Sequence, residues 1–222
     1  MIRKLTGGRA SLLVGAAVLV VASPLFAPQL LAFPHRVETP IGTVWSERPI
    51  DPALLDRVVG HTRQRLATSP IAGANERRPI FLTNGGWRWH WLAISARGSF
   101  ALTRPLTSAV VVNRIDGSGI VRNGGTIGGE RELAPVLAHE FTHGTIRRHF
   151  GPIRTALFPQ WKVEGYCDHV AGESSLDAAT VERLEANGTN HPALVYYHGR
   201  RRVAAELERN GGSVDRLFTG SN

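Results

Sequence analysis

The stretch LAHEFTHGTIRRHFG, residues 137–151, concentrates three histidines and one glutamate. His139 and His143 are four apart, so on a helix both imidazoles leave one face about one turn apart. At that spacing both ring nitrogens can reach one zinc ion at about 2 Å. Glu140 lies beside such an ion without ligating it, and can act as the base that takes a proton from zinc-activated water. This H-E-x-x-H pattern has only three fixed letters and arises by accident in on the order of one chain in a hundred of this size. A third protein ligand therefore decides its meaning.

His149 is the first candidate, because its separation from His143 fits the metzincin pattern H-E-x-x-H-x-x-G-x-x-H. That pattern needs a helix-breaking glycine where this chain has Ile146, and a methionine turn where the only methionine is Met1. On an unbroken helix six residues turn His149 about 240° away from His143. With Arg147 and Arg148 it suits the negative end of the helix dipole instead.

Glu164, in PQWKVEGYCDHVAG (159–172), is the second candidate. Four residues on, Asp168 shares its helical face and can accept the free N–H of a zinc-bound histidine. Cys167 and His169 flank Asp168 and are expected to be packing residues on other faces of that helix.

Here the chain resembles the gluzincins, zinc metallopeptidases with two histidines and a downstream glutamate. Trp161, Glu164, Gly165 and Asp168 look like the second motif of their thermolysin-type members, and the resemblance covers residues 139–168. It implies a zinc site of His139, His143 and Glu164, with Glu140 catalytic and Asp168 orienting a ligand. It implies an α+β fold: a small mixed sheet with the active-site helix, plus a helical lower lobe. The strand near Ile120–Arg122 would be the sheet edge that holds an extended substrate by backbone pairing. Gluzincins also stabilise the oxyanion with a tyrosine or histidine of the lower lobe. Tyr196, Tyr197, His198 and His191 are available for that role; no spacing rule selects among them, and Tyr197 is the nominal choice.

The elements that must position these residues are legible from pattern. Asp51-Pro52 caps a helix continued by Leu54, Leu55, Val58, Val59, Thr62 and Leu66. RPIFLT (78–83) and SAVVVNR (108–114) read as strands. Trp87, His90, Trp91 and Ile94 recur at helical steps, although Trp87, Trp89 and Trp91 also alternate as in a strand, and the aromatic stripe is expected to pack in the core. The active-site helix starts near Glu132 and ends before Gly151-Pro152. Helices follow from Pro159 to about Gly172, around Ala178–Ala186, and from Pro192 onward. The glycine-rich GIVRNGGTIGG (119–129) lacks a P-loop lysine and a dinucleotide fingerprint, so it reads as a connector.

Ahead of the domain at 51–222, residues 34–50 carry three prolines and read as a linker. Residues 1–33 open with Arg3, Lys4 and Arg9 and then run uncharged from Ala10 to Phe33. This is the pattern of an N-terminal hydrophobic helix serving as signal anchor, or of a cleaved signal peptide, although Pro24 and Pro28 interrupt it. Either reading exports the rest of the chain: a single-pass cell-membrane protein with its catalytic domain outside the cytoplasm, or a secreted or periplasmic one.

With 222 residues and 42% hydrophobic content the chain can bury one core. The net charge of +8 is spread over short clusters (Arg77–Arg78, Arg147–Arg148, Arg200–Arg202) rather than one stripe, so no nucleic-acid partner is expected. A single cysteine, Cys167, excludes an intrachain disulfide. The expectation is a membrane-anchored zinc peptidase acting on peptide or protein substrates. Its rivals are a catalytically inactive zinc-containing binding or assembly protein, and a cytosolic zinc protease acting on DNA-bound proteins.

Overall fold

The computed structural model describes residues 11–220 except 12, 13, 17, 18, 20, 21, 95, 105 and 106. Among the described residues seven strands form one mixed sheet: β1 (His35–Thr39), β2 (Gly42–Ser46), β3 (Ile80–Thr83), β4 (Ala101–Thr103), β5 (Val110–Ile115), β6 (Ile120–Arg122) and β7 (Glu130–Glu132). The order is β1-β2-β3-β5-β6-β7, with β4 added on β5. β2, β3 and β5 are parallel neighbours and the other pairings are antiparallel. β3 and the start of β5 lack polar alternation because the sheet is covered on both faces. Ile80, Leu82, Val110 and Val112 enter the main core, whereas Phe81 and Val111 pack with Phe33, Trp89 and Leu92 on the opposite face.

The helices are α1 (Pro52–Leu66), α2 (Trp87–Leu92), α3 (Leu133–Phe150), α4 (Pro152–Leu157), α5 (Gln160–Ala171), α6 (Ala178–Ala186), α7 (Leu194–Arg209) and α8 (Val214–Thr219). Asp51 caps α1 by accepting the Ala53 N–H at 3.0 Å. α3 is the centre of the molecule. It packs on α1, on the sheet and on α5, and thirteen of its eighteen residues are buried. It therefore has no solvent face wide enough for its polar residues, which must find partners inside. Gly151, at φ 85°, ends it.

Four expectations need correction. The sheet is not the small one of an α+β fold; it is a seven-stranded mixed α/β sheet with helices on both faces. The expected N-terminal hydrophobic helix is not supported: among the described residues no helix is long and apolar enough to cross a membrane. Ser23–Leu25 and Pro28–Leu31 are short 3-10 turns with prolines at their starts, Phe33 docks in the sheet, and Arg88 donates to the Leu31 and Ala32 carbonyls. The basic residues Arg3, Lys4 and Arg9 lie outside the described residues. Residues 34–50 are not a linker, because β1 and β2 pair there as a hairpin and β2 continues the sheet on β3. The aromatic stripe is divided: Trp89 is buried, while Trp87 and Trp91 are exposed.

Two glycines set the distance between α5 and α7. A Cβ on Gly165 would overlap the Gly199 carbonyl, and one on Gly199 would lie 3.0 Å from the Trp161 carbonyl oxygen. Backbone meets backbone at this crossing, so neither helix can yield by rotating a side chain. Gly165→Ala is expected to destabilise the protein by about 1–3 kcal/mol in chemical denaturation. Gly60→Ala, on an open face of α1, should instead stabilise by up to about 1 kcal/mol.

Candidate metal centre

α3 presents His139 and His143 on one face, and their Nε2 atoms are 3.1 Å apart. α5 lies against that face and brings the Glu164 carboxylate to 3.3 Å from His139 Nε2 and 3.5 Å from His143 Nε2. Cys167, one turn further along α5, is fully buried, and its sulfur lies within 4.8 Å of donor atoms of both histidines. His139, His143 and Cys167 could hold a metal ion, and the Glu164 carboxylate lies beside the two histidines. Cys167 is thus not a packing residue on another face. Three residues along a helix is nearly one turn, so it shares the site-facing side with Glu164 and Asp168. His169 does point elsewhere, and its ring stacks on Tyr166.

Behind the donors lies a buried network. Asp168 Oδ1 sits 2.8 Å from His139 Nδ1, and the fully buried carboxylate also accepts from Arg131 at 3.2 Å and Ser174 at 3.1 Å. Accepting the Nδ1–H leaves Nε2 to face the donor cluster. Burial alone would push Asp168 up, but the His139 and Arg131 contacts hold it below the ordinary carboxylate range. Glu164 is held low in the same way, with burial outweighed by His143 and His139. Burial would lower His139, yet its bonds to Asp168 and Glu164 raise it to about 10. The protonated imidazole is thus favoured by the two carboxylates that flank it.

Glu140 lines the same cavity as the histidines and turns toward β4. Its Oε2 is 2.7 Å from the Thr103 hydroxyl, which also lies 2.8 Å from the Glu140 carbonyl oxygen. Thr103 belongs to β4, which among the described residues pairs with β5 alone and leaves its outer edge open. β6, the edge expected from sequence, is closed on both sides by β5 and β7. A cavity of about 530 Å³ runs beside β4 and is lined by His139, Glu140, His143 and Glu164.

From α7 it is Tyr196, not Tyr197, that lines this cavity. The two side chains diverge by about 100° on the helix. Tyr197 packs against the Leu176–Val181–Leu184 cluster, with Arg201 over its ring. Burial and the facing Glu164, Asp168 and Glu140 push Tyr196 up to about 12, so it stays a hydrogen-bond donor. His191 also lines the cavity, whereas His198 pairs with Glu185 at 2.9 Å on the surface. His149 pairs with Asp215 at 2.8 Å, away from the donors. Arg131 and Thr103 gave no signal in the sequence, since neither belongs to a spaced motif.

No protein-family model, curated protein or solved structure matches the chain.

The proton on His139 gives a testable sign. A group whose folded value is raised contributes stability fully present below its unfolded value, near pH 6.5, and lost as pH rises towards about 10. Glu164 and Asp168 stay ionised throughout that window and add no slope. Chelator-treated protein should therefore lose roughly a few kcal/mol between pH 6.5 and 10 in urea denaturation. Metal-loaded protein should not show that loss, because a cation then replaces the proton.

Proposed function

We propose that the chain is a zinc-dependent peptidase, with His139, His143 and Glu164 as metal ligands. The observation that carries this reading is the donor triangle of 3.1, 3.3 and 3.5 Å beside the Glu140 carboxylate. A tetrahedral ion with bonds of about 2.0–2.1 Å separates its donors by about 3.3 Å, so the set fits zinc with one position left open. Two imidazoles and a carboxylate suit zinc, and His139 has the carboxylate partner usual for a ligating histidine. The resemblance of His139-Glu140-x-x-His143 with Glu164-x-x-x-Asp168 to the gluzincin motifs supports the same reading.

Zinc bound there would supply a Lewis acid that makes water nucleophilic near neutral pH. Glu140 takes one proton from that water as its oxygen bonds to the scissile carbonyl carbon. It then delivers the proton to the amide nitrogen as the C–N bond breaks, leaving a carboxylic acid and an amine. Thr103 holds the Glu140 carboxylate at Oε2 for both transfers. Tyr196 donates to the oxygen on which negative charge develops. The open edge of β4 pairs with the extended peptide and keeps its carbonyl over the ligands. The basic residues Arg3, Lys4 and Arg9 ahead of an uncharged stretch support export of the domain from the cytoplasm. A reporter fused at the C-terminus and active only inside the cell would sink that part.

Glu140→Gln should retain stoichiometric zinc and lose peptide hydrolysis; a variant as fast as the parent overturns the mechanism. Asp168→Asn should weaken zinc binding by about 10- to 100-fold, measured by chelator competition. Tyr196→Phe should lower kcat by about 100-fold or more with zinc content unchanged, whereas Tyr197→Phe should not. Equal effects of the two tyrosines would reject Tyr196 as the oxyanion donor.

A further inference from the structure

Arg147 follows His143 by one turn of α3, so His139, His143 and Arg147 share one face of the helix. Its side chain lines the same cavity as the donors and is half-buried. Its Nη2 is buried without a hydrogen-bond partner, and Arg147 forms no ion pair among the described residues. The guanidinium makes no hydrogen bond among the described residues, so the part of it that lines the cavity can meet an acceptor that arrives with a ligand.

The neighbouring acids explain why none is already there. Glu76, which lines a second pocket with Arg147, is saturated: it accepts from Arg78 at 3.0 Å, from Thr145 at 2.7 Å and from Arg148. Arg78 and Arg148 therefore present like charge to Arg147 rather than a partner. Glu140 attracts Arg147 through space, but the hydrogen bond to its carboxylate comes from Thr103. The other arginine of the cavity, Arg131, also has a buried Nε without a hydrogen-bond partner, but it donates to Asp168 and to the Glu173 carbonyl at 3.1 Å. Arg147 is thus the one arginine lining the cleft whose side chain makes no hydrogen bond or ion pair among the described residues.

We propose that Arg147 holds a substrate carboxylate, making the cleft selective for peptides that carry one close to the scissile bond. One helical turn is about 5.4 Å, and an extended peptide advances about 3.3 Å per residue. The carboxylate therefore falls within about two residues of the bond cleaved. A free C-terminus or an acidic side chain at that distance supplies the same planar pair of oxygens, which a guanidinium binds through two N–H groups. The inference rests on the peptidase reading only for placing a peptide in this cleft.

The test uses zinc-loaded Glu140→Gln protein, in which binding is read without turnover. Its probes are three N-acetylated pentapeptides of one sequence: a C-terminal free acid, a C-terminal amide, and the amide with glutamate at the penultimate position. Calorimetry should show a carboxylate-bearing peptide binding about 10- to 100-fold tighter than the plain amide. Preference for the free acid assigns the carboxylate to the chain terminus; preference for the glutamyl amide assigns it to a side chain. Adding Arg147→Met should abolish the difference with zinc content and circular dichroism unchanged, and Arg147→Lys should restore part of it. Equal affinity for all three peptides, no measurable binding of either carboxylate peptide, or a preference that survives Arg147→Met overturns the proposal. Selective binding with no cleavage by the parent protein would sink the peptidase reading and leave the carboxylate site standing.

Discussion

Asp168 is an ionised carboxylate that water does not reach, and the rest of the site is arranged around it. Burying such a charge alone would cost several kcal/mol, so it exists only because three elements converge on it. His139 comes from α3, Arg131 from β7, and Ser174 from the loop after α5. Each of these contacts also locks one element to the next. Arg131 extends the chain of contacts to the Glu173 carbonyl and lies over the Phe100 ring. The orientation of His139 is therefore fixed by the packing of sheet against helices, not by α3 alone.

The burial of α3 on nearly all sides has a second consequence. A helix of this kind cannot leave Glu140 or Thr145 unpaired, and each takes a partner from a different neighbour: Thr103 on β4 and Glu76 in the loop before β3. Gly144 belongs to the same logic, because the Arg78 guanidinium lies flat against it and over the Phe141 ring, where any side chain would collide. On the opposite side, the glycine crossing of α5 and α7 carries Tyr196 to the wall of the cleft that faces Glu164. Glu140, the two histidines and Tyr196 thus stand on three supports. Only the local one, the turn of α3 between His139 and His143, is encoded in a short stretch of chain.

That division explains what could be read from sequence. Spacing on single helices is visible in a string of letters, so His139 with His143 and Glu164 with Asp168 were legible, as were most element boundaries. Contacts between elements leave no such trace. Arg131 looks like any exposed strand residue between two glutamates, and Thr103 like the end of a short strand. Tyr196 and Tyr197 are adjacent, and only the helix's rotation against α5 separates cleft from core. Residues 34–50 misled because their prolines mark the two ends and the turn of a hairpin, and prolines do not say what the strands between them pair with. The uncharged run at 10–33 misled as a spanning helix, because hydropathy cannot distinguish a segment facing lipid from one whose Phe33 docks in the sheet.

The third donor illustrates how charge decides where distance alone is close. Cys167 and Glu164 both face the histidines, but the thiol is surrounded by the carboxylates of Glu164, Glu140 and Asp168 in a fully buried position. Burial and those neighbours raise it well above its ordinary value, so forming a thiolate there would add a fourth negative charge to a dry pocket. Glu164 is already ionised and already in contact with both Nε2 atoms. A cation bound here as proposed would find Glu164 already ionised, whereas Cys167 would first have to release a proton.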